Sequence, residues 1–196
     1  MKKTILVLVI AICYLVGFSQ ETGTFTDQRD GKIYKTVKIG TQWIMAENLS
    51  YKPKSGKYWV YNDDTSNLRK YFCGYLYNWE TAQKVAPAGW HLPTKEEWRT
   101  LNKYLSDKLL VNFPALKSAS GIGFIAMFGG YRGRDGKFYD NSPYVYFWSS
   151  TVVSNDDDPT CTWCAWISMC TNYGAGAAIS TSDRDCAYSV RLFKND

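Results

Sequence analysis

The cysteines of this chain are the residues whose type and spacing most nearly describe chemistry. Cys161 and Cys164 form a Cys-x-x-Cys pair, and Cys170 and Cys186 follow it. Four thiolates could hold a tetrahedral zinc ion, but the later gaps, Cys-x5-Cys and Cys-x15-Cys, lack the paired knuckles of structural zinc sites. A redox pair usually opens a helix after a strand, whereas this one precedes the strand-like run Ala165 to Met169. His91 is the only histidine, so histidine-rich metal sites and most hydrolytic triads lose their usual base. Its position in a turn between Trp90 and Leu92 predicts a structural role, the ring satisfied by backbone groups. Ser149 and Ser150 follow an aromatic strand and are expected to hold strand ends or turns rather than act as nucleophiles. Asp156, Asp157 and Asp158 supply carboxylates for a hard cation, but an acidic loop of this kind reads as solvated. The residues therefore predict no catalytic group, no metal site and no cofactor.

The chain opens Met1-Lys2-Lys3, runs apolar from Ile5 to Val16 and reaches small residues at Gly17 and Ser19, the pattern of a secretory signal peptide spanning 1–19. Cys13 follows Ile12, where a lipobox cysteine follows a small residue, so cleavage after Ser19 or Gln20 is expected instead of lipidation. No later segment approaches the ~20 apolar residues of a spanning helix, and no transmembrane segment is predicted. Residues 20–196 make one ordinary domain. The formal charge of +5 falls to about +3 without Lys2 and Lys3, and the basic residues are scattered, so no nucleic-acid partner follows. An odd number of cysteines remains after processing, which in an oxidising compartment leaves at least one thiol outside intramolecular disulfides. Aromatic residues are the real excess, 16% of the chain with fifteen Tyr and eight Trp. They suit stacking on sugars and filling interfaces, and equally the core of a β-rich exported domain.

The elements that must position these residues follow from periodicity. Ile33 to Ile39 alternates, and Gly40-Thr41 turns it into Trp43-Ile44-Met45, a hairpin. Lys52 to Arg69 is a polar, aromatic-studded loop with a turn at Asn62-Asp63-Asp64. Tyr75 to Val85 predicts a strand leading into a short helix that stops before Pro87. In PAGWHLPTKEEW, Pro87, Gly89 and Pro93 confine Trp90, His91 and Leu92 to a short extended piece, and Thr94 with Glu97 forms a capping box for a helix from Lys95 to about Ser106. Trp98, Leu101 and Leu105 share its apolar face. Beyond it no helical period recurs. Strands are predicted at Gly123 to Tyr131, Tyr144 to Thr151, Thr162 to Met169, Gly176 to Ser180 and Ala187 to Phe193, the last three closing an antiparallel sheet. Helices followed by strands indicate an α+β domain, and no internal repeat or low-complexity linker interrupts it.

Six segments then line up in order: Gly23 to Leu49, Gly74 to Ala82 (GYLYNWETA), Pro87 to Trp98, Gly129 to Arg132 (GGYR), Phe147 to Thr151 (FWSST) and Tyr188 to Leu192 (YSVRL). Together they resemble the Fibrobacter succinogenes major paralogous domain family, found in exported bacterial proteins of the Bacteroidetes and Fibrobacteres. The resemblance implies a single C-type-lectin-like domain, shared at a distance with formylglycine-generating enzymes, with two short helices packed on antiparallel sheets and long loops in the C-terminal half. Members of the family often carry a cysteine before the Pro-x-Gly-Trp turn and another after Ser-Val-Arg; here those positions hold Val85 and Leu192, as packing in place of a disulfide would require. The cysteines from Cys161 to Cys186 then form a local set, and a Cys170–Cys186 bridge is expected.

Lectin-like domains present ligands around their late strands, here Tyr144 to Arg184. The resemblance thus implies an exported, non-catalytic binding or surface-interaction module for a glycan or protein ligand, in the periplasm, in the cell envelope or secreted. Trp163, Trp166 and Tyr173 would offer stacking faces, with Asn172, Asp183 and Arg184 as polar partners. Strand alternation sends Trp163 and Trp166 to opposite faces, so at most one of them is a contact. Trp90, His91, Thr94, Glu97 and Trp98 are assigned to architecture. A structural or adhesive envelope component is one alternative, and a cysteine-dependent oxidoreductase related to the formylglycine-generating enzymes, built on Cys161 and Cys164, is another.

Overall fold

The computed structural model describes residues 20–66, 73–109, 129–139, 144–152, 161–168 and 176–196, with the backbone alone at 105–109, 144, 161, 163–168 and 176–178. Among them two sheets and two α-helices make an α+β domain. No helix of the described residues is long and apolar enough to cross a membrane.

The first sheet begins with β1 (Thr22–Thr26), β2 (Ile33–Ile39) and β3 (Gln42–Met45). The β2–β3 hairpin is as alternation predicts, with Ile39 opposite Gln42 across Gly40-Thr41. β1 pairs antiparallel along β2, from Thr22 opposite Val37 to Thr26 opposite Ile33. Sequence pattern did not show β1, because four of its five residues are exposed and no apolar alternation marks it. In the next connection the expected loop carries β4 (Tyr58–Trp59) and one 3₁₀ turn at Tyr61–Asp63. Asn62 and Asp63 both take positive φ, 56° and 55°, the conformation that short polar side chains tolerate.

β5 (Leu76–Asn78) runs directly into α1 (Trp79–Ala82), whose first turn is capped by the Asn78 side chain accepting from Thr81 N. β6 (Trp90–His91) is the confined extended piece of the aromatic turn, and α2 runs from Lys95 to Leu109, three residues past its predicted end. Its N-terminus is closed reciprocally. Glu97 N donates to Thr94 Oγ1 at 3.2 Å while Thr94 N donates to Glu97 Oε2 at 2.7 Å, so two backbone donors that helix geometry leaves unpaired are satisfied. Trp98 and Leu101 are fully buried on its inner face, which packs against the late strands.

Those strands are β7 (Tyr131–Arg132), β8 (Phe138–Tyr139), β9 (Tyr144–Val152), β10 (Cys161–Ser168), β11 (Gly176–Asp183), β12 (Ala187–Ser189) and β13 (Phe193–Lys194). The strand expected from Gly123 falls mostly outside the described residues, and β7 occupies its end. Two expectations are corrected. The single strand from Ala187 to Phe193 is two strands in different sheets, since the chain passes from β12 to β13 through Val190, Arg191 and Leu192. The closing sheet is mixed, because β12 pairs with β9 in parallel at Ser189 and Phe147. The strand orders are β1-β2-β3-β13-β6 and β11-β10-β9-β12-β5-β4, with β7 on β12 and β8 on β7.

Buried side chains knit the sheets. Trp98 Nε1 donates to Trp148 O at 3.1 Å, Trp148 Nε1 to Tyr77 O at 2.6 Å and Trp79 Nε1 to Ser149 O at 2.9 Å, so each indole dipole finds a backbone carbonyl. Arg191, fully buried, donates through Nη1 to Met45 O at 3.1 Å and through Nη2 to Asn48 Oδ1 at 2.5 Å, with Phe147 5.3 Å from its guanidinium carbon. Burial lowers its pKa to about 9, with the Glu47 charge opposing, so it remains a cation at neutral pH. Gly74, at φ +69°, lets the chain pass over Leu49, where a Cβ would stand 2.4 Å from Leu49 O. Val85 and Leu192 lie in one apolar cluster with Met45, Leu49, Trp90 and Val190.

Candidate functional site

The turn from β11 to β12 carries Asp183 and Arg184. Asp183 O accepts from Cys186 N at 3.1 Å, and Asp183 Oδ1 accepts from Asp185 N at 2.9 Å, which closes the turn. Arg184 is held to the start of α1. Its carbonyl accepts from Trp79 N at 3.4 Å, and its guanidinium carbon lies 4.5 Å from the Trp79 ring centroid. Its Nε is buried without a hydrogen-bond partner among the described residues.

A second pair repeats the arrangement. Arg132 on β7 lies 4.5 Å from the Trp59 ring centroid on β4. Gly136, at φ +81°, turns the β7–β8 hairpin beneath that side chain, where a Cβ would come 2.8 Å from Arg132 Nη2. Register brings the two pairs together, because Ala187 of β12 faces Arg132 on one side and Asn78, the residue before Trp79, on the other. Both arginines and both tryptophans are half-buried. Arg134 adds an exposed ion pair to Asp183 at 3.5 Å. Two guanidinium planes fixed on indoles hold cationic N–H edges with little freedom left to lose, an arrangement suited to hydroxyl or carboxylate acceptors.

Behind this face lies an aromatic layer. Tyr131 and Tyr139 stack at 5.1 Å, Tyr146 and Tyr188 at 5.2 Å, and Trp148 lies 4.5 Å from Tyr188. Ser182 Oγ and Tyr188 Oη are hydrogen-bonded at 2.6 Å. Cys186 is buried here. Burial pushes its thiol pKa up against the hydrogen bonds of Ser182, the Arg134 backbone and Tyr188, which makes it a weak nucleophile at neutral pH.

The residues singled out from sequence fall into three groups. Asp183 and Arg184 meet at the site. Trp163 and Trp166 belong to β10, opposite Thr181 and Ala178 of β11, with their side chains outside the described residues. Asn172, Tyr173 and Cys170 lie outside the described residues altogether, so the expected Cys170–Cys186 bridge has only its Cys186 end on view. In the aromatic turn, His91 differs from expectation: its ring is held by side chains, with Nε2 to Glu97 Oε1 at 2.7 Å and Nδ1 to Asn195 Oδ1 at 2.8 Å, instead of by backbone groups. Trp59, Trp79 and Arg132 were not legible as a site, since no local pattern announces a stack between residues so distant in sequence. Among the described residues no three His, Cys, Asp or Glu side chains converge as metal ligands.

Residues 37–194 match the family model described as the Fibrobacter succinogenes major domain. No curated protein and no solved structure matches the chain. The matched region opens inside β2, so β1 and the first half of β2 complete the sheet ahead of it.

Proposed function

Since the chain belongs to the Fibrobacter succinogenes major domain family, we propose that it is an exported, non-catalytic binding module of lectin-like fold that recognises a glycan or protein ligand. The observation that carries the reading is the pair of arginine–tryptophan stacks flanking Ala187. Rigid, half-buried aromatics with pre-oriented donors give contact area at low entropic cost, which is how binding surfaces differ from solvated ones. A ligand with hydroxyl or carboxylate groups would accept from Arg184 and Arg132 and cover the indoles. Support for the lectin-like fold comes from the first and last strands sharing one sheet, through β13 on β3, while the late strands form another with α2 against them. The apolar leader 1–19 supports export.

Against the oxidoreductase alternative, Cys161 and Cys164 lie three residues apart on one strand paired regularly with β11. Their Cα atoms are then roughly 10 Å apart, beyond the roughly 7 Å limit for a disulfide. The test is binding of the purified exported protein to an array of neutral and acidic glycans and to envelope proteins of its own cell. Arg184→Ala and Arg132→Ala should each weaken capture about tenfold, the loss of one desolvated cation–aromatic contact. Capture untouched by both substitutions would remove the face from the reading, and no capture at all would leave the structural or adhesive alternative.

A further inference from the structure

A cleft of about 280 Å³ opens between the β1–β2 connection, the β3–β4 connection and α1, lined among others by Arg29, Tyr51, Lys54, Ser55, Glu80 and Lys84. It shares no lining residue with the arginine–tryptophan face. Two hydrogen bonds between distant segments build its walls. Lys57 N donates to Thr81 Oγ1 at 2.7 Å, which holds the loop before β4 on α1, and Arg29 Nη1 donates to Val85 O at 2.8 Å, which seats the guanidinium just beyond the end of α1. The guanidinium carbon lies 3.7 Å from the Tyr51 ring centroid. Arg29 is thereby fixed by Asp27, Val85 and Tyr51, yet its side chain is still 27% exposed and can be reached from solvent.

A guanidinium carries five N–H donors. The one on Nε and one on Nη2 are spent on Asp27, and one on Nη1 is spent on Val85 O. The second N–H of Nη1 and that of Nη2 have no partner among the described residues. The exposed side chains of Lys54, Lys84 and Glu80 likewise have no hydrogen-bond or ion-pair partner among them. Glu80 and Lys84, four residues apart across α1 and the turn that follows it, stand on one side of that element. Asp27 offsets the Arg29 charge and Glu80 offsets one lysine, so the lining keeps one positive charge in excess. A monoanion balances it, whereas a dianion such as sulfate overshoots and meets the Glu80 carboxylate. That carboxylate only accepts hydrogen bonds, so it favours a ligand that also carries hydroxyl donors. Both demands, in a cleft sized for one sugar ring, describe a sugar acid.

We propose that this cleft binds a hexuronate, its carboxylate on the free N–H groups of Arg29 and the ammoniums of Lys54 and Lys84, its ring hydroxyls donating to Glu80. The site is separate from the arginine–tryptophan face and does not depend on that reading.

The intact protein would be titrated with glucuronate, galacturonate, methyl glucoside and inorganic sulfate while backbone amide and arginine Nε–H resonances are followed. At least one uronate should move the Ser55 and Gly56 amides and the Arg29 Nε–H signal, saturating on the order of millimolar, while methyl glucoside leaves them in place and sulfate binds about fivefold more weakly. Lys54→Ala and Lys84→Ala, which remove exposed and unpaired side chains and so spare the fold, should each weaken the uronate about fivefold. Glu80→Gln should narrow the preference for uronate over sulfate, and Arg184→Ala should change nothing. Absence of any uronate response, or an undiminished response in both lysine variants, overturns the proposal. Methyl glucoside or sulfate binding as tightly as the uronates, or a preference untouched by Glu80→Gln, overturns it as well. A response abolished by Arg184→Ala but kept in the lysine variants would put the uronate on the arginine–tryptophan face, overturning this site and sparing the other reading.

Discussion

Asp27 shows how one residue ties a loop to the fold and sets its acid sensitivity. Its side chain is fully buried and receives the Arg29 backbone N–H at 3.0 Å and the guanidinium at 2.8 and 2.6 Å, while the same guanidinium donates to Val85 O at 2.8 Å. Burial raises the Asp27 pKa most, yet the Arg29 hydrogen bonds and charge together hold it below the ordinary 3.8. A carboxyl with a lowered folded-state pKa contributes stability that is complete above its unfolded value and is lost as pH falls through the folded one. Urea midpoints should therefore decline as pH drops below about 4, and Asp27→Asn should flatten that decline at a cost of about 2 kcal/mol at neutral pH. Arg191 is the counterpart among the cations. Its guanidinium lies inside the domain on Asn48, Met45 and Phe147.

Helix α2 is packed on the late strands and on β13. Its inner face places Trp98 against Phe147 and Phe193, with ring centroids at 5.4 and 5.2 Å. Its first turn supplies Glu97 Oε1 to His91 Nε2 at 2.7 Å, and Lys95 N donates to Thr151 Oγ1 at 2.9 Å, fastening the helix start to β9. The capping box is therefore both a helix start and a positioning device. Thr94→Ala removes one acceptor and frees the Glu97 carboxylate from one of its restraints, and should cost about 1 kcal/mol in thermal or urea unfolding. The capping box, the β2–β3 hairpin and the inner face of α2 were legible in the sequence because each depends on neighbours within a few residues. The short strands β4 and β8 were not, since two residues carry no period, and each pairs with a single neighbour, β5 and β7.

For the whole molecule, closure rests on the last few residues. Phe193 pairs with Ile44 of β3 and with His91 of β6, so β13 alone joins the N-terminal hairpin to the aromatic turn. Asn195 N then donates to Gly89 O at 3.0 Å, and its side chain holds His91 at 2.8 Å. Deleting 193–196 should cut the five-stranded sheet in two and expose Trp98 and Ile44 to water. The expected result is loss of cooperative unfolding, or a stability drop above about 4 kcal/mol, followed by calorimetry and tryptophan fluorescence. A variant that melted like the full chain would show that α2 and the late strands hold β3 without β13.

The sequence by itself determined the family, the α+β class and the local devices, because periodicity, capping and turn chemistry act over a few residues and leave a pattern along the chain. It also marked Asp183 and Arg184 as polar partners for a ligand. Only the tertiary structure decided that Arg191, Asn48 and Gly74 from three separate motifs serve the interior. It alone sent Ala187–Ser189 and Phe193–Lys194 to different sheets and set Arg132 on Trp59 and Arg184 on Trp79. Such pairings join residues far apart in the chain. Their energy comes from burial and strand register summed over the domain, and no window of the sequence contains both partners.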